Sequence, residues 1–281
     1  MYFIGFLIVF LALWALLYPT VPAVRHGGRL ASRLVARNIR IERFVQKHAP
    51  YLPIAIIVVS GLGLTAFAGD QFLDLAENLR DRSGRVQFVD TFVHDAVVQH
   101  RTADATTFFA LVTAVGSPIG MLTLLTITTI ALLIARRFRW AIYLAVTTGG
   151  AGLLDFELKR TFARARPAVV EMLRHASGYS FPSGHAMGST VAFAALTYLS
   201  YRLTTDWKRQ SAATAFSLTF ILAVSLSRVY LGVHWISDVG AGIAAGLCWV
   251  TSTTVAYEML RRVRRLRALR GAGGERRVTG S

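Results

Sequence analysis

Seven apolar runs separated by clusters of arginine restrict this chain more than any other feature. They fall at Tyr2–Tyr18, Tyr51–Ala68, Pro118–Ala135, Trp140–Leu154, His185–Tyr201, Ser211–Val229 and Val239–Leu260. A helix needs about 20 apolar residues to cross the roughly 30 Å hydrocarbon core of a bilayer. The runs therefore predict membrane-spanning helices, several of them short. Composition agrees: 54% of the residues are hydrophobic and only 16% charged, against about 25% charged in soluble domains. The first run has no basic residue before it and no small-residue cleavage pattern after it. It predicts an uncleaved span rather than a signal peptide, with an interfacial helix as the alternative.

The net charge of +16 would suggest nucleic acid in a soluble protein. Here the cations flank apolar runs, which fits a bilayer with anionic lipid instead, and no nucleic acid partner is expected. Seven Arg or Lys lie between Arg25 and Lys47. Arg136, Arg137 and Arg139 form a second group, Arg202, Lys208 and Arg209 a third, and eight arginines between Arg261 and Arg277 a fourth. If seven helices alternate, all four groups share one side, which positive loops assign to the cytoplasm. The organisation expected is residues 1–48 as an N-terminal span and basic loop, 49–260 as a membrane core, and 261–281 as a basic, lipid-facing cytoplasmic tail. The single cysteine, Cys248, excludes an intrachain disulfide.

Two long segments fall on the other side. Asp70–Ser117 holds seven of the fifteen acids and broken amphipathic stretches, which predict short interfacial helices. Glu157–Pro182 carries Lys159, Arg160, Arg164, Arg166 and Arg174 where few cations are expected. A bound phosphate that balances some of these charges would account for the exception.

Three clusters converge on that side: "KRTFARARP" (Lys159 to Pro167), "PSGH" (Pro182 to His185) and "SRVYLGVHWISD" (Ser227 to Asp238). Lys159, Arg166 and Arg228 offer fixed positive charge, and the planar fork of arginine suits tetrahedral oxyanions. Ser183 and Gly184 stand at a helix start, where free N–H groups and the helix dipole favour an anion. His234 and Asp238 are four apart. An aspartate on one ring nitrogen fixes the tautomer and frees the other nitrogen as a nucleophile. His185 can then act as general acid and base. Three cations already face the phosphoryl oxygens, so no metal and no cofactor is expected. Taken singly, each cluster is more often a turn, a capping contact or a lipid-facing flank; the three together, in order and on one side, point to a phosphate site. Asp155, one turn before Lys159, reads as its ion-pair partner. His26, His48, His94, His100 and His175 read as ordinary solvated or interfacial residues.

The pattern K-x6-R-P, P-S-G-H and S-R-x5-H-x3-D, complete at Lys159, Arg166, Pro167, Pro182 to His185, Ser227, Arg228, His234 and Asp238, resembles the type 2 phosphatidic acid phosphatase superfamily. The resemblance covers roughly Tyr51 to Leu260 and leaves the first span outside it. It implies an all-α integral membrane protein with a six-helix transmembrane phosphatase core, to which the extra N-terminal span and short interfacial helices are added. It implies that His234 attacks phosphorus to form a phosphohistidine, with Asp238 orienting it and His185 protonating the leaving oxygen and then activating water. Lys159, Arg166, Ser183, Gly184 and Arg228 would hold the phosphoryl oxygens. The implied substrates are membrane lipid phosphates or pyrophosphates: undecaprenyl pyrophosphate, phosphatidate or phosphatidylglycerophosphate. A lipid phosphotransferase or a non-catalytic lipid transporter or scaffold would use the same pocket. Vanadate-dependent haloperoxidases share the motifs but are soluble, which the apolar runs oppose.

Overall fold

The computed structural model describes residues 10–12, 52–81, 83–167, 173 and 176–278, and the side chains of residues 52–57 and 265–278 are not described. Among the described residues there is no strand. Eight helices follow one another: α1 (Leu52–Arg80), α2 (Gly84–Gln99), α3 (Ala103–Val115), α4 (Pro118–Ile134), α5 (Phe138–Phe162), α6 (Gly184–Leu203), α7 (Trp207–Tyr230) and α8 (Ile236–Val278). Residues 10–12 are also helical. The rest of the run Tyr2–Tyr18, and the basic stretch Arg25–Lys47, lie outside the described residues.

Each of the other six apolar runs lies on its own helix, but several helices outlast their runs. α1 continues past Ala68 to Arg80 because "DQFLDLAENLR" keeps a helical apolar stripe; Ala76 is buried with Phe181, and Phe72 and Leu79 pack beside them. α8 continues past Leu260 into the basic tail. The segment expected to form short interfacial helices instead comprises the end of α1, then α2 and α3. α2 is not peripheral, since Asp90 and His94 on one of its faces are buried.

Local signals set the breaks. The Thr102 hydroxyl accepts from the Ala105 N–H at the start of α3, and Ser117 accepts from the Gly120 N–H just before Pro118 opens α4. Such caps satisfy amides that the first helical turn leaves free. The Gly116–Pro118 break bends α3 against α4 by 46°. Trp207–Tyr230 and Ile236–Arg264 are each long and apolar enough to cross a membrane, and α3 with α4 qualifies as one bent element. The outward faces suit a lipid surrounding: Ile119 and Ile134 on α4 are each 79% exposed.

α8 is the organising helix. It runs against α1, with the Thr65 and Thr251 hydroxyls 2.7 Å apart, and against α6. The approach to α6 is backbone-close. A Cβ on Gly242 would stand 2.6 Å from the Ser183 carbonyl oxygen, and one on Gly246 would stand 3.0 Å from that of Met187. α6 is in turn flanked by α5 and α7. The start of α6 is therefore pressed against the start of α8, which brings "PSGH" beside "HWISD".

Candidate active site

Asp238 is fully buried in the first turn of α8. Its Oδ2 accepts from the Trp235 N–H at 2.9 Å, and its backbone oxygen accepts from the Ser183 N–H at 2.9 Å. His234 sits one residue before that helix capping turn, with Nδ1 3.5 Å from Asp238 Oδ2. That is longer than a formed hydrogen bond, as catalytic pairs often are before substrate binds. On the other side of the ring, Arg166 Nη1 lies 3.1 Å from His234 Nε2. A guanidinium can only donate, so Nε2 carries the lone pair and the ring proton is on Nδ1, facing Asp238. Burial, with Arg166 and Arg228 adding to it and Asp238 opposing it, holds the His234 pKa down at about 4. The ring is neutral at pH 7, with its free nitrogen beside a cation.

Arg166 is itself held by backbone. Its three nitrogens donate to the carbonyls of Ser177, Gly178, Tyr179 and Val233 at 2.7 to 3.1 Å. This side chain ties the loop before α6 to the loop before α8. Lys159, in the last turn of α5, donates to Asp155 Oδ1 at 2.5 Å and to the Pro182 carbonyl at 2.8 Å. Gly184 closes on the same pair: a Cβ there would lie 2.8 Å from Asp155 Oδ2 and 3.0 Å from Lys159 Nζ. Arg228, near the end of α7, donates to Thr113 Oγ1 of α3 at 2.6 Å.

These groups share one cavity of about 940 Å³. Lys159, Arg166, Gly184, His185, Arg228 and His234 line its polar end, together with Asp155. The rest is a trough between α4, α5 and α6 that includes Met121, Leu125, Ile130, Ala145 and Val191. Asp238 stands behind His234 and does not line the cavity. Ser183 does not line it either; its hydroxyl is buried and has no hydrogen-bond partner among the described residues. Six of the eight expected residues thus face the cavity directly.

Five further residues support the site, none of them at a defined position of the three motifs: Asp90, His94, Arg164, Trp235 and Ser237. Arg164 donates from Nη1 to Asp238 Oδ1 at 2.6 Å and to Ser237 Oγ at 2.8 Å, and from Nη2 to Asp90 Oδ2 at 2.6 Å. Ser237 donates its hydroxyl to Asp90 Oδ2 at 2.6 Å and its N–H to Asp90 Oδ1 at 3.0 Å. Arg164 and Arg166 are two apart in a non-helical stretch, and their partners differ: Arg164 reaches the acids, Arg166 the cavity. Trp235 packs between the Arg164 guanidinium, 5.6 Å from its ring, and the buried His94. His94 is therefore a site-supporting residue, not a solvated one. His100 is exposed, and His26, His48 and His175 lie outside the described residues. The cation excess of this side is also partly answered by protein acids: Asp155 faces Lys159, and Asp90 and Asp238 face Arg164.

The chain is 29% identical over 177 residues to phosphatidylglycerophosphatase B of Bacillus subtilis, which covers 63% of this chain and 86% of that protein. It is 31% identical over 125 residues to the putative undecaprenyl-diphosphatase YbjG of Escherichia coli, an alignment that spans 42% of this chain and only 58% of the relative. The fold superposes on the crystal structure of a transmembrane PAP2-type phosphatidylglycerolphosphate phosphatase from Bacillus subtilis with a TM-score of 0.62 and 26% identity, covering 71% of this chain and 96% of that one. The family profile for the PAP2 superfamily matches residues 140–262. That segment contains all eight residues expected to form the phosphate site, held in the arrangement just described, and this part of the chain belongs to the PAP2 superfamily.

Proposed function

We propose that the protein is a membrane lipid phosphatase that hydrolyses a phosphomonoester or pyrophosphate of a lipid without a metal, through a phosphohistidine on His234. One observation carries the reading: a single cavity has a cationic end holding two histidines and an apolar trough that continues from it between helices. A soluble phosphate ester needs the first and gains nothing from the second, whereas an amphiphilic one uses both.

In this reading the three cations and the Gly184 amide bind the phosphoryl oxygens and stabilise the charge that builds up on them. His234 Nε2 attacks phosphorus as the ester oxygen departs with a proton from His185. Asp238 holds the Nδ1 proton and steadies the cationic ring of the phosphohistidine. His185, now neutral, takes a proton from water as the water oxygen attacks phosphorus. The N–P bond breaks, inorganic phosphate leaves, and both histidines return to their starting states. The trough takes the lipid tail. The substrates to be tried are phosphatidylglycerophosphate, phosphatidate and undecaprenyl pyrophosphate. Six helices of the core cross the inner membrane, and the site opens to the periplasm or cell exterior.

The test is phosphate release from a panel of purified lipid phosphates. Release should persist in EDTA, fall with orthovanadate and vanish in His234→Ala. Loss on chelation that Mg²⁺ restores would refute metal independence. Full activity of His234→Ala would refute the nucleophile.

A further inference from the structure

At the far end of the same two helices lies a second polar assembly that the phosphatase reading does not use. Glu258 of α8 is only 2% exposed. The Tyr198 hydroxyl donates to its Oε1, and Arg202 Nε stands 3.4 Å from that oxygen. Arg261 and Arg262 place their Nε atoms 3.3 and 3.8 Å from Oε2. Trp140 and Tyr143 pack on the rings of Tyr198 and Tyr257. One carboxylate therefore answers three arginines. Beside it is a pocket of about 170 Å³ lined by Arg139, Ile142, Tyr257, Leu260, Arg261 and Arg264. Arg139 and Arg264 are exposed and have no ion-pair partner among the described residues. Counting these five arginines against Glu258, the corner keeps a surplus of four positive charges.

We propose that this pocket binds the headgroup of an anionic glycerophospholipid. Charge complementarity names the anion, since basic pockets between membrane helices suit phosphate headgroups. The surroundings name a lipid rather than free phosphate. Ile142 and Leu260, which form the pocket's apolar walls, are 62% and 59% exposed. With Phe138 and Val263 they face outward where acyl chains lie. The apolar run of α8 ends at Leu260 and gives way at once to Arg261, Arg262 and Arg264, which puts the pocket at headgroup depth. Its distance from the cationic end of the phosphatase cavity is roughly 30 Å of helix, since Arg139 precedes Lys159 by 20 residues on α5. A lipid held here would clamp the start of α5 to α8 just past its apolar run; the same two helices present Lys159 and Asp238 at the site end.

The proposal does not depend on which lipid is hydrolysed, and the experiment avoids turnover. The full chain in neutral detergent, with orthovanadate present throughout, is titrated with short-chain phosphatidylglycerol, phosphatidylcholine or inorganic phosphate while its thermal midpoint is followed. A ligand that binds the folded state raises the midpoint. Phosphatidylglycerol should raise it and phosphatidylcholine should not. In Arg139→Gln/Arg264→Gln the apparent affinity should fall about thirtyfold, at roughly fivefold for each arginine near a lipid surface. The lipid-free midpoint should stay nearly unchanged, because neither side chain has an ion-pair partner among the described residues. An equal response of both proteins to phosphatidylglycerol would overturn the site. A response to inorganic phosphate that the double substitution abolishes would overturn the lipid.

Discussion

Arg164 holds two carboxylates at once, Asp90 from α2 and Asp238 from α8. Without it, two buried acids would face each other across Ser237. Arg164→Gln should destabilise the protein by about 3–5 kcal/mol, the usual cost of breaking a buried ion pair from one side, read as a drop in thermal midpoint. It should also cut kcat by about a hundredfold with little change in KM, because a slight displacement of Asp238 misaims His234 without disturbing the phosphate-binding cations. Arg164→Lys should recover stability better than kcat, since an ammonium cannot fork between two carboxylates. A KM rise at unchanged kcat would show that Arg164 acts on substrate instead. This residue was visible in the sequence only as one cation among five. Its partners are 74 residues away, and no local spacing reports on them. Lys159, Arg166, His185 and His234 were legible because each sits in a short motif whose neighbours are sequence neighbours.

At the scale of helices, the contact between α6 and α8 decides whether the site closes. Gly242→Val should push the start of α8 away from Ser183 and Ala186, costing about 1–3 kcal/mol as overpacking does and lowering turnover through the same shift. Gly63→Ala on α1 is the matched control: a Cβ there meets nothing within 4 Å. It should be neutral or stabilising by up to ~1 kcal/mol. Equal loss of thermal midpoint in both variants would show that helix propensity, not close approach, governs these positions. The apolar runs located the helices well, because burial in lipid or core imposes the run. They underestimated α1 and α8, where the helix leaves the apolar zone and continues on a half-polar stripe. Nor did they reveal that α2 turns a polar face inward. The signal was there in Asp90 and His94, four apart on one helix face, but the same spacing occurs on countless solvated helices.

For the whole molecule, the described basic residues at 136–139, 202–209 and 261–264 lie toward the opposite ends of their helices from the site. Single cysteines in a Cys248→Ser background can read which end faces out. Tyr179→Cys suits the site end: the side chain is exposed, whereas neighbouring Gly178 has φ +74 and would strain any replacement. Thr204→Cys, at the end of α6, marks the basic end. In intact cells an impermeant maleimide should label only Tyr179→Cys. Labelling at Thr204→Cys alone would turn the cavity to the cytoplasm and make an inner-leaflet lipid the substrate.

The hydrogen bonds from Ser237 to Asp90 join residues 147 apart, and those from Arg164 to the two acids each reach across 74. On the ribosome, then, Lys159 of α5 and Arg166 just after it are made well before His234 and Asp238. Asp90 has to wait, already inserted, for both of its partners. On the proposed mechanism, the nascent chain carries part of an anion cradle but no armed nucleophile until α8 has started to emerge. A phosphatase built in this order stays silent toward the lipids around it during its own synthesis, and becomes active only when its last helix is in place.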